Sequence, residues 1–460
     1  MNVSGFVKIR AMWDTLRTSY WFVPTLMAVA SAILWVGCYV MDLGLADSVI
    51  HRLGWIYTGG PDGAREMLAV VAGSMITIAG VTFSITIVAL TLASQQFGPF
   101  LLRNFMRDTG NQIVLGTFIS TFLFCLLTLR VIRGTDQEKF VPQLSVSVAV
   151  LLAIFSLCVL IYFIHHVSAF IQASNIISVV GRDLNEAIDR LFPDRLGSQQ
   201  PERDSSRCNR PGEELNAARV RSSAYGYIKA LDNEALLKTA TENDLVVALL
   251  KRPGDFVGEG DVVAHVWPVT SSNDEIDNSI AESLILGSQR TATQDVEFVF
   301  SQIVEIAVRS LSPGINDPFT AIICIDHLGQ GLRRMAGRAI PSPYRYADDG
   351  VLRVVAMPAT FSELADAAFN QIRHYGRASE EVLNRLLNTI TDLAQHIARE
   401  EDRQALLRHA ALIAQAGRAG VPEKDARWSL QQAYGRARTA LMERPDQRAS
   451  VTGEEKTGEA

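Results

Sequence analysis

The chain has 460 residues, 48% of them hydrophobic and 20% charged, with a formal net charge of −6. The charges fall unevenly, because residues 1–181 carry 18 charged side chains and residues 182–460 carry 74. Long apolar runs exclude a disordered chain, and the mildly acidic second part disfavours a nucleic-acid partner. We therefore expect a membrane-embedded first part and a water-soluble second part.

Four apolar segments are long enough, at about 20 residues or more, to cross a bilayer as helices. They occupy residues 20–41, 67–97, 112–132 and 144–166. None carries an acidic or basic residue in its central part. We predict a four-helix transmembrane domain over 20–181, preceded by an N-terminal segment over 1–19. No small-residue cleavage site follows the first segment, so we interpret it as a retained anchor and not as a signal peptide.

Four spans place both termini on the same side of the membrane. The basic residues of the loops divide evenly between the two sides, and only Arg182, Arg190 and Arg195 after the last span break the tie. Because basic residues concentrate on the cytoplasmic side, we expect both termini in the cytoplasm.

The second segment is too long for a straight crossing. Residues 67–97 would reach ~46 Å as a helix, against a hydrocarbon core of ~30 Å, so the segment must tilt, kink or protrude. Uncharged polar residues recur along it at spacings of three and four or their multiples, which places them on one helical face. They are Ser74, Thr77, Ser84, Thr91 and Gln95, and Val81 and Val88 complete the seven residues of this face.

Two interpretations of this polar face stay open. Hydroxyl and amide groups can line a hydrated pore, where they replace part of the hydration shell of an ion or solute. Small polar residues also allow helices to pack closely and to hydrogen-bond across the contact. The lack of charged residues in the central parts of the spans disfavours a proton-coupled pump, which needs ionisable groups at depth.

The spacing of ligand-forming residues predicts no metal and no cofactor. His165 and His166 are adjacent, so they do not face the same way on a helix, and no third ligand lies near them in the sequence. The five cysteines show no Cys-x-x-Cys or Cys/His spacing. Nucleotide-binding, hydrolase and metalloprotease motifs do not occur either, so we expect no enzymatic activity.

The soluble part divides by composition into four stretches. A polar linker over 182–222 precedes a small β module over 223–270, where Arg-Pro-Gly-Asp and Gly-Glu-Gly-Asp turns separate strand-like runs. Helical periodicity then predominates over 271–444, interrupted by a strand or hairpin near 351–356. The polar tail over 445–460 is expected to be disordered.

A corner between two predicted helices is the sharpest motif of the soluble part. Its turn-forming and polar residues are Ser312, Pro313, Gly314, Asn316, Asp317 and Pro318. The Pro-Gly pair should end the first helix, and the Asp-Pro pair is a good N-cap and first residue for the next. Capping accounts for Asp317. An alternative stays open, in which Ser312, Asn316 and Asp317 offer oxygens to a ligand or a neighbouring subunit.

The second span and this corner resemble a known family. Ile78-Ala-Gly-Val-Thr-Phe-Ser-Ile-Thr and Leu311-Ser-Pro-Gly-Ile-Asn-Asp-Pro are similar to the bacterial predicted membrane proteins catalogued as domain of unknown function 2254. The resemblance covers nearly the whole chain. It implies a multi-span protein of the bacterial cytoplasmic membrane with a C-terminal soluble domain, and it brings no activity and no site residues.

A second resemblance concerns residues 225–268. Arg252-Pro-Gly-Asp-Phe-Val-Gly-Glu-Gly-Asp is similar to the turn and strands of biotinyl and lipoyl carrier barrels. Those carriers attach their cofactor to a lysine soon after such a stretch, but here no lysine occurs between Lys251 and Lys424. The resemblance therefore implies a small β-barrel-like module with a structural role.

These features predict an α-helical membrane protein with a C-terminal soluble α+β domain. The leading hypothesis is an ion channel or channel-like conduit, a homo-oligomer in the lipid bilayer that passes an ion or small solute. Four helices enclose little more than their own side chains, so we expect a hydrated path between subunits, with the soluble domain in assembly or gating. The alternative is a membrane-anchored sensor or scaffold whose soluble domain binds a protein partner or a small regulator.

Overall fold

The computed structural model describes residues 21–44, 57, 59–98, 109–135, 138–170, 172–193, 217–271 and 273–443. The chain divides into two compact units, with the boundary between Asn175 and Ile176. Three predicted regions lie outside the described residues: the N-terminal segment 1–19, residues 194–216 of the linker, and the tail 445–460.

The first unit contains four long helices and a short hairpin. The helices are α1 (Phe22–Gly44), α2 (Pro61–Phe97), α3 (Thr109–Val131) and α4 (Gln143–Phe170). The antiparallel hairpin is formed by β1 (Arg133–Thr135) and β2 (Glu138–Phe140). All four helices are long and apolar enough to cross a membrane, which confirms the four helices predicted from the sequence.

The central helix of the first unit is α3, against which α1, α2 and α4 all pack. Its Phe118 and Phe124 side chains are fully buried. Gly116 allows α1 to approach closely, because the Met27 side chain occupies the place that a Cβ at residue 116 would need. The Ser31 hydroxyl of α1 donates to the Ser120 carbonyl at 2.8 Å, so polar contacts add to this packing.

A carboxylate from one helix caps the start of another. Asp42, near the end of α1, accepts hydrogen bonds from the backbone N–H groups of Leu144 and Ser145 at 2.8 and 3.0 Å, and from the Ser145 hydroxyl at 2.6 Å. These amides belong to the first turn of α4 and have no partner within that helix. Asp42 therefore satisfies donors that would otherwise be exposed at the helix end.

The second unit begins within α5 (Ala173–Leu191), whose last ten residues fall in the linker that the sequence predicted over 182–222. The apolar face of α5 is fully buried at Ile177, Leu184 and Ile188, which explains why this stretch is helical and not a mobile connection. The Asp189 carboxylate accepts hydrogen bonds from Arg334 and Arg338. These bonds, with that from Arg334 the largest contribution, lower the pKa of Asp189.

Two sheets follow. Their strands are β3 (Ala218–Arg221), β4 (Gly226–Leu231), β5 (Val246–Leu249), β6 (Phe256–Val257), β7 (Val262–Trp267), β8 (Leu284–Gly287), β9 (Tyr344–Tyr346) and β10 (Leu352–Val355). One sheet has five strands in the order β3-β7-β5-β10-β9, and the other has three in the order β6-β4-β8. Their facing sides share one core, with Ile228, Val247 and Val263 fully buried or nearly so.

The described strands do not form the closed barrel that the sequence suggested. β10 pairs in parallel with β5, Val354 opposite Val247, so a segment a hundred residues along the chain completes the larger sheet. The smaller sheet likewise takes β8 from beyond residue 270. Both sheets therefore extend outside the predicted module 223–270, because their pairing is set by long-range contacts that local spacing does not contain.

The remaining helices build the rest of the second unit. They are α6 (Asn233–Glu242), α7 (Asp274–Glu282), α8 (Val296–Ser310), α9 (Pro318–Ala336), α10 (Phe361–Tyr375), α11 (Glu380–Leu393), α12 (Glu400–Gly420) and α13 (Lys424–Met442). α6 and α7 pack beside the sheets, while α8 to α13 pack on one another as a helical bundle. Phe300, Phe361 and Phe369 are fully buried in this part of the molecule.

Candidate functional site

The polar face of α2 lies opposite the face by which α2 packs within the chain. Buried residues recur along α2 at spacings of three and four, for example Ala79, Thr82 and Thr86. The polar residues singled out in the sequence follow an equivalent spacing half a turn away. All five are exposed: Ser74, Thr77, Ser84, Thr91 and Gln95. This face is therefore not a packing surface toward the other described helices of the first unit.

The hydroxyl groups of this face are satisfied within their own helix. The four serine and threonine hydroxyls each donate to the carbonyl oxygen four residues earlier, at 2.7 to 2.9 Å. A hydroxyl has one donor hydrogen and two acceptor lone pairs, so acceptor capacity remains on the outer side. The face can thus be stable without a neighbouring helix and still offer oxygen atoms to whatever lies beside it.

The polar face has the length of a membrane crossing. Ser74 and Gln95 are 21 residues apart, or ~32 Å along a helix, compared with a hydrocarbon core of ~30 Å. Gly80 lies beside the face with open space above it. Exposed apolar side chains such as Phe83 and Ile85 flank it. α2 therefore presents a largely polar face between apolar flanks, and the exposed Val81 and Val88 also lie on this face.

In the described part of the four membrane helices, the charged residues lie toward the helix ends. Asp62 and Arg65 are in the first turns of α2, and Arg130 is in the last turn of α3. His165 and His166 lie in the last two turns of α4, where the Tyr162 hydroxyl is 3.4 Å from His166 Nδ1. Across the described part of the chain, no three His, Cys, Asp or Glu side chains are grouped so that they could hold a metal ion.

The corner between α8 and α9 forms as a capped turn. The Asp317 carboxylate accepts from the Thr320 backbone N–H at 3.1 Å and from the Thr320 hydroxyl at 2.6 Å, so it caps α9. Asn316 has φ +51°, a conformation that asparagine tolerates better than most residues. Ser312 is half-buried, and its carbonyl accepts from the Asn316 backbone N–H at 2.8 Å. Thus both Asp317 carboxylate oxygens already have partners.

The outer surface of the corner is apolar as well as polar. Pro313, Gly314 and Asn316 are exposed, and so are the Ile315 and Phe319 side chains, with Phe319 76% exposed. From the sequence, only the oxygen atoms of this corner were expected to meet a ligand or a neighbouring subunit. The exposed phenyl ring makes a protein surface a better match to this corner than a small polar ligand.

A cleft that the sequence analysis missed lies between α8 and α10. Its volume is about 460 Å³. It is lined by Glu297, Ser301, Val304, Glu305, Val308, Arg309, Ala367 and Gln371. The four-residue spacing of Glu297, Ser301 and Glu305 was the available signal, but spacing cannot show that α10 supplies the second wall.

Ion pairs engage the charged residues of this cleft. Arg252 donates to Glu363 at 2.8 Å and to Glu297 at 3.2 Å, which joins the Arg-Pro-Gly-Asp turn to α8 and α10. Burial raises the pKa of Glu363, but hydrogen bonds from Thr360 and Arg252 outweigh it and lower the pKa overall. A ligand would bind here by competing with these pairs, or with the pair formed by Arg309 and Glu305 at 2.7 Å.

A buried histidine lies between α10 and α12. The His409 side chain is fully buried, with Nε2 3.0 Å from Asp366 Oδ1 and the ring edge-on to Phe369. Burial lowers the pKa of His409 to about 4, although the Asp366 carboxylate opposes this effect. His409 is therefore neutral near pH 7, and it has no access to a ligand from solvent.

Comparisons with known proteins find a matching family and relatives of the chain. A family model described as "Predicted membrane protein (DUF2254)" matches residues 17–392, which include all four membrane helices and most of the second unit. Two relatives, described as uncharacterized proteins of Mycobacterium bovis and Mycobacterium tuberculosis, are each 30% identical over 443 residues. The alignment with each covers 95% of this chain and 83% of the relative. No solved structure matches the chain.

Proposed function

The chain belongs to the DUF2254 family of predicted membrane proteins, and from this premise we propose that it forms an oligomeric conduit for an ion or small solute. The observation that carries the proposal is the exposed polar face of α2, which is uncharged and as long as a bilayer is thick. Where such a face meets water inside a membrane, its hydroxyl and amide groups can replace part of the hydration shell of an ion or solute.

The packing of the first unit supports a path between copies of the chain. Large side chains such as Phe118 and Phe124 fill the interior around α3, while the polar face of α2 points outward. Several copies arranged around an axis would turn their α2 faces toward one another. The path would then be lined by hydroxyl and amide groups from every subunit.

The hydrogen bonds of the polar face favour cations as the permeant species. Because each hydroxyl hydrogen is donated to a carbonyl of α2, the four hydroxyl groups present oxygen lone pairs outward. Oxygen atoms replace the hydration shell of a cation better than that of an anion. We expect a reversal potential that shifts toward the cation equilibrium potential under a salt gradient.

The test is flux through purified protein in liposomes. Ser84→Leu and Thr91→Leu should each reduce cation flux at least fivefold without reducing the yield of folded protein, because leucine removes the outward oxygen and adds apolar bulk. Thr25→Leu is the matched control, since Thr25 is an exposed threonine on α1. Unchanged flux in both α2 variants would contradict the proposed lining.

The location follows from the same premise. We propose that the protein lies in the bacterial cytoplasmic membrane, with both termini in the cytoplasm, and that it has no catalytic role. Four crossings put the two termini on one side, and the basic residues after the last span favour the cytoplasm. Reporter fusions at each terminus should both be active in the cytoplasm. If both termini were found in the periplasm instead, the proposed orientation would be wrong.

A second candidate function is a membrane-anchored sensor or scaffold. The observations that favour it are the cleft between α8 and α10 and the exposed apolar corner at Ile315 and Phe319. A ligand or partner would then bind the second unit, and Glu305→Gln or Phe319→Ser should weaken that binding. Asp317 is a poor test residue, because its loss would remove the cap of α9. Binding that is lost in these variants, with no flux in the wild type, would favour this function.

A further inference from the structure

An acidic side chain continues the polar face of α2 toward the N-terminal end of the helix. α2 is one helix from Pro61 to Phe97, so it begins before the apolar segment that the sequence indicated. Glu66 lies in its second turn, and the side chain is exposed. Glu66 and Ser84 are 18 residues apart, or about five full turns, and Thr77 and Thr91 lie within about 20° of the same direction. Glu66 therefore lies on the same face as these hydroxyl groups.

Glu66 lies outside the part of the face that matches the thickness of a bilayer. The uncharged stretch from Ser74 to Gln95 is long enough to cross the ~30 Å hydrocarbon core. Glu66 comes eight residues before Ser74, ~12 Å further along the helix axis, with the exposed Val70 between them. At that level a carboxylate meets headgroups or water, whereas a charge at depth would be costly. Glu66 can therefore act as a fixed negative charge at the end of the face.

Among the described residues, no cation offsets the charge of Glu66. The preceding residue, Arg65, turns toward the end of α3, where its Nη2 donates to the Ile132 carbonyl at 3.0 Å. Arg65 Nη1 is also 3.8 Å from Asp62 Oδ1, so Arg65 partly offsets the charge of Asp62. Glu66 has no ion-pair partner in the part of the chain that the structure describes. The two neighbouring acids therefore differ, since Asp62 is partly compensated and Glu66 is not.

We propose that Glu66 selects cations at the mouth of the conduit, which is the end of the path at which α2 begins. This inference rests on the proposed conduit and adds the residue that sets its charge preference. Because each copy contributes one Glu66, copies arranged around an axis place a ring of carboxylates at one level. Such a ring concentrates cations at the mouth and repels anions. The hydroxyl groups further along can coordinate a cation, but they carry no net charge that would exclude an anion.

The charge lies at one end of the described face. At the other end Gln95 is exposed and uncharged. An acid near a helix N-terminus is also favoured by the helix dipole, and Asp62 in the first turn has that position. The dipole does not explain why Glu66 lies in line with Ser84, whereas a path along this face does.

Reversal potentials of the purified full-length protein in planar bilayers test the proposal. In a KCl gradient near 0.01 M, where the Debye length is ~30 Å, Glu66→Gln should lower the cation-to-anion permeability ratio roughly threefold or more. Near 1 M the Debye length is only ~3 Å, so the variant and the wild type should have nearly the same ratio. A merely structural role of Glu66 would not give a difference that salt removes.

Two further variants are matched controls. Glu66→Asp keeps the charge and should keep the wild-type ratio. Asp62→Asn removes a carboxylate one turn earlier on the same helix, and it should change the ratio much less, because Arg65 already offsets that charge. The folded yield of all three variants should equal that of the wild type, since these side chains are exposed.

The outcomes separate this inference from the proposed function. A ratio that falls in Glu66→Gln but not in Glu66→Asp supports the ring of carboxylates. A conducting protein whose ratio at low salt is the same in Glu66→Gln overturns the ring and leaves the conduit intact. Equal falls in Glu66→Gln and Asp62→Asn overturn the ring as well, because general surface charge would then account for the selectivity. A folded wild type without conductance overturns the conduit itself, and the ring with it.

Discussion

The hydroxyl groups of the α2 face and the long-range ion pairs of the second unit find their hydrogen-bond partners in different ways. On α2, each serine or threonine hydroxyl of the face bonds to a carbonyl four residues away. In the second unit, Arg252 with Glu363, Arg334 with Asp189, and Arg353 with Asp244 join positions more than 100 residues apart. The first kind of bond survives without tertiary structure, whereas the second kind exists only when the whole unit is folded.

The first kind of bond leaves a surface available for function, whereas the second kind stabilises the fold. A hydroxyl satisfied by its own helix can face lipid, water or another subunit at little cost. A long-range ion pair fixes the elements that carry it, and losing one partner leaves the other charge exposed or uncompensated. We therefore expect substitutions on the α2 face to change transport, and substitutions within the second unit to change stability.

The largest expected effect is on the attachment of α5 to the second unit. Leu184→Ala should lower the free energy of unfolding of this unit by about 3 kcal/mol, because Leu184 is fully buried. Labelling of the buried Cys324 thiol during denaturation, read by peptide mass spectrometry, measures the change. The exposed Glu186→Ala is the control and should stay within about 0.5 kcal/mol. A small effect of Leu184→Ala would mean that α5 is not part of this unit.

The next largest effect concerns pH. Because the pKa of His409 is lowered to about 4 from an ordinary value near 6.5, the unfolded chain takes up the proton first as the pH falls. Stability is therefore fully present above about pH 6.5 and is lost as the pH approaches 4, by roughly 2 to 3 kcal/mol at pH 4.5. Amide exchange of α10 and α12, corrected for intrinsic rates, should show this loss. His409→Leu should flatten the dependence, and an unchanged slope would contradict the assignment.

A smaller effect is expected at Asp42, a carboxylate of one membrane helix that caps the start of another. Asp42→Ala removes the acceptor for the Leu144 and Ser145 amides, which should destabilise the first unit by about 1 kcal/mol. The melting temperature of the purified protein in detergent measures this. Asp62→Ala is the control, since the Asp62 side chain is 94% exposed and 3.8 Å from Arg65. Equal melting temperatures for both variants would show that the cap contributes nothing.

The smallest effect is expected on the α2 face itself. Thr91→Val keeps the shape of the side chain and removes only a bond within the helix, so the free energy of unfolding should change by less than about 0.5 kcal/mol. The same detergent melt measures it. A loss above about 1 kcal/mol would mean that the Thr91 hydroxyl bonds to another copy of the chain, which would favour helix packing over pore lining.

The elements that could be predicted from the sequence are those fixed by local chemistry. The four membrane helices follow from uninterrupted apolar length, and the corner at 311–318 follows from its Pro-Gly and Asp-Pro pairs. The sheets could be predicted only in part. Turn residues marked β4, β5 and β7, but the parallel partner of β5 comes from β10, and spacing contains no information about that pairing. For this reason the sequence could not show that the described strands form two sheets and not a closed barrel.

The candidate sites divide in the same way. Spacing placed Ser74, Thr77 and Ser84 on one face of α2, and helix geometry alone is sufficient for that. It could not show that the face lies opposite the packed side, because this depends on where α3 and α4 lie. The cleft between α8 and α10 and the exposed Phe319 were missed because each is defined by which neighbours are present.

Water accessibility along α2 tests the central claim most directly. Single cysteines at Ser84 and Thr91, and at the flanking positions Phe83 and Ile85, would be treated in membranes with a membrane-impermeant, water-soluble thiol reagent. The account predicts rapid modification at residues 84 and 91 and at least tenfold slower modification at residues 83 and 85, because only the polar face would meet water. Equal protection at all four positions would contradict it and would mean that the face lies against lipid or another helix.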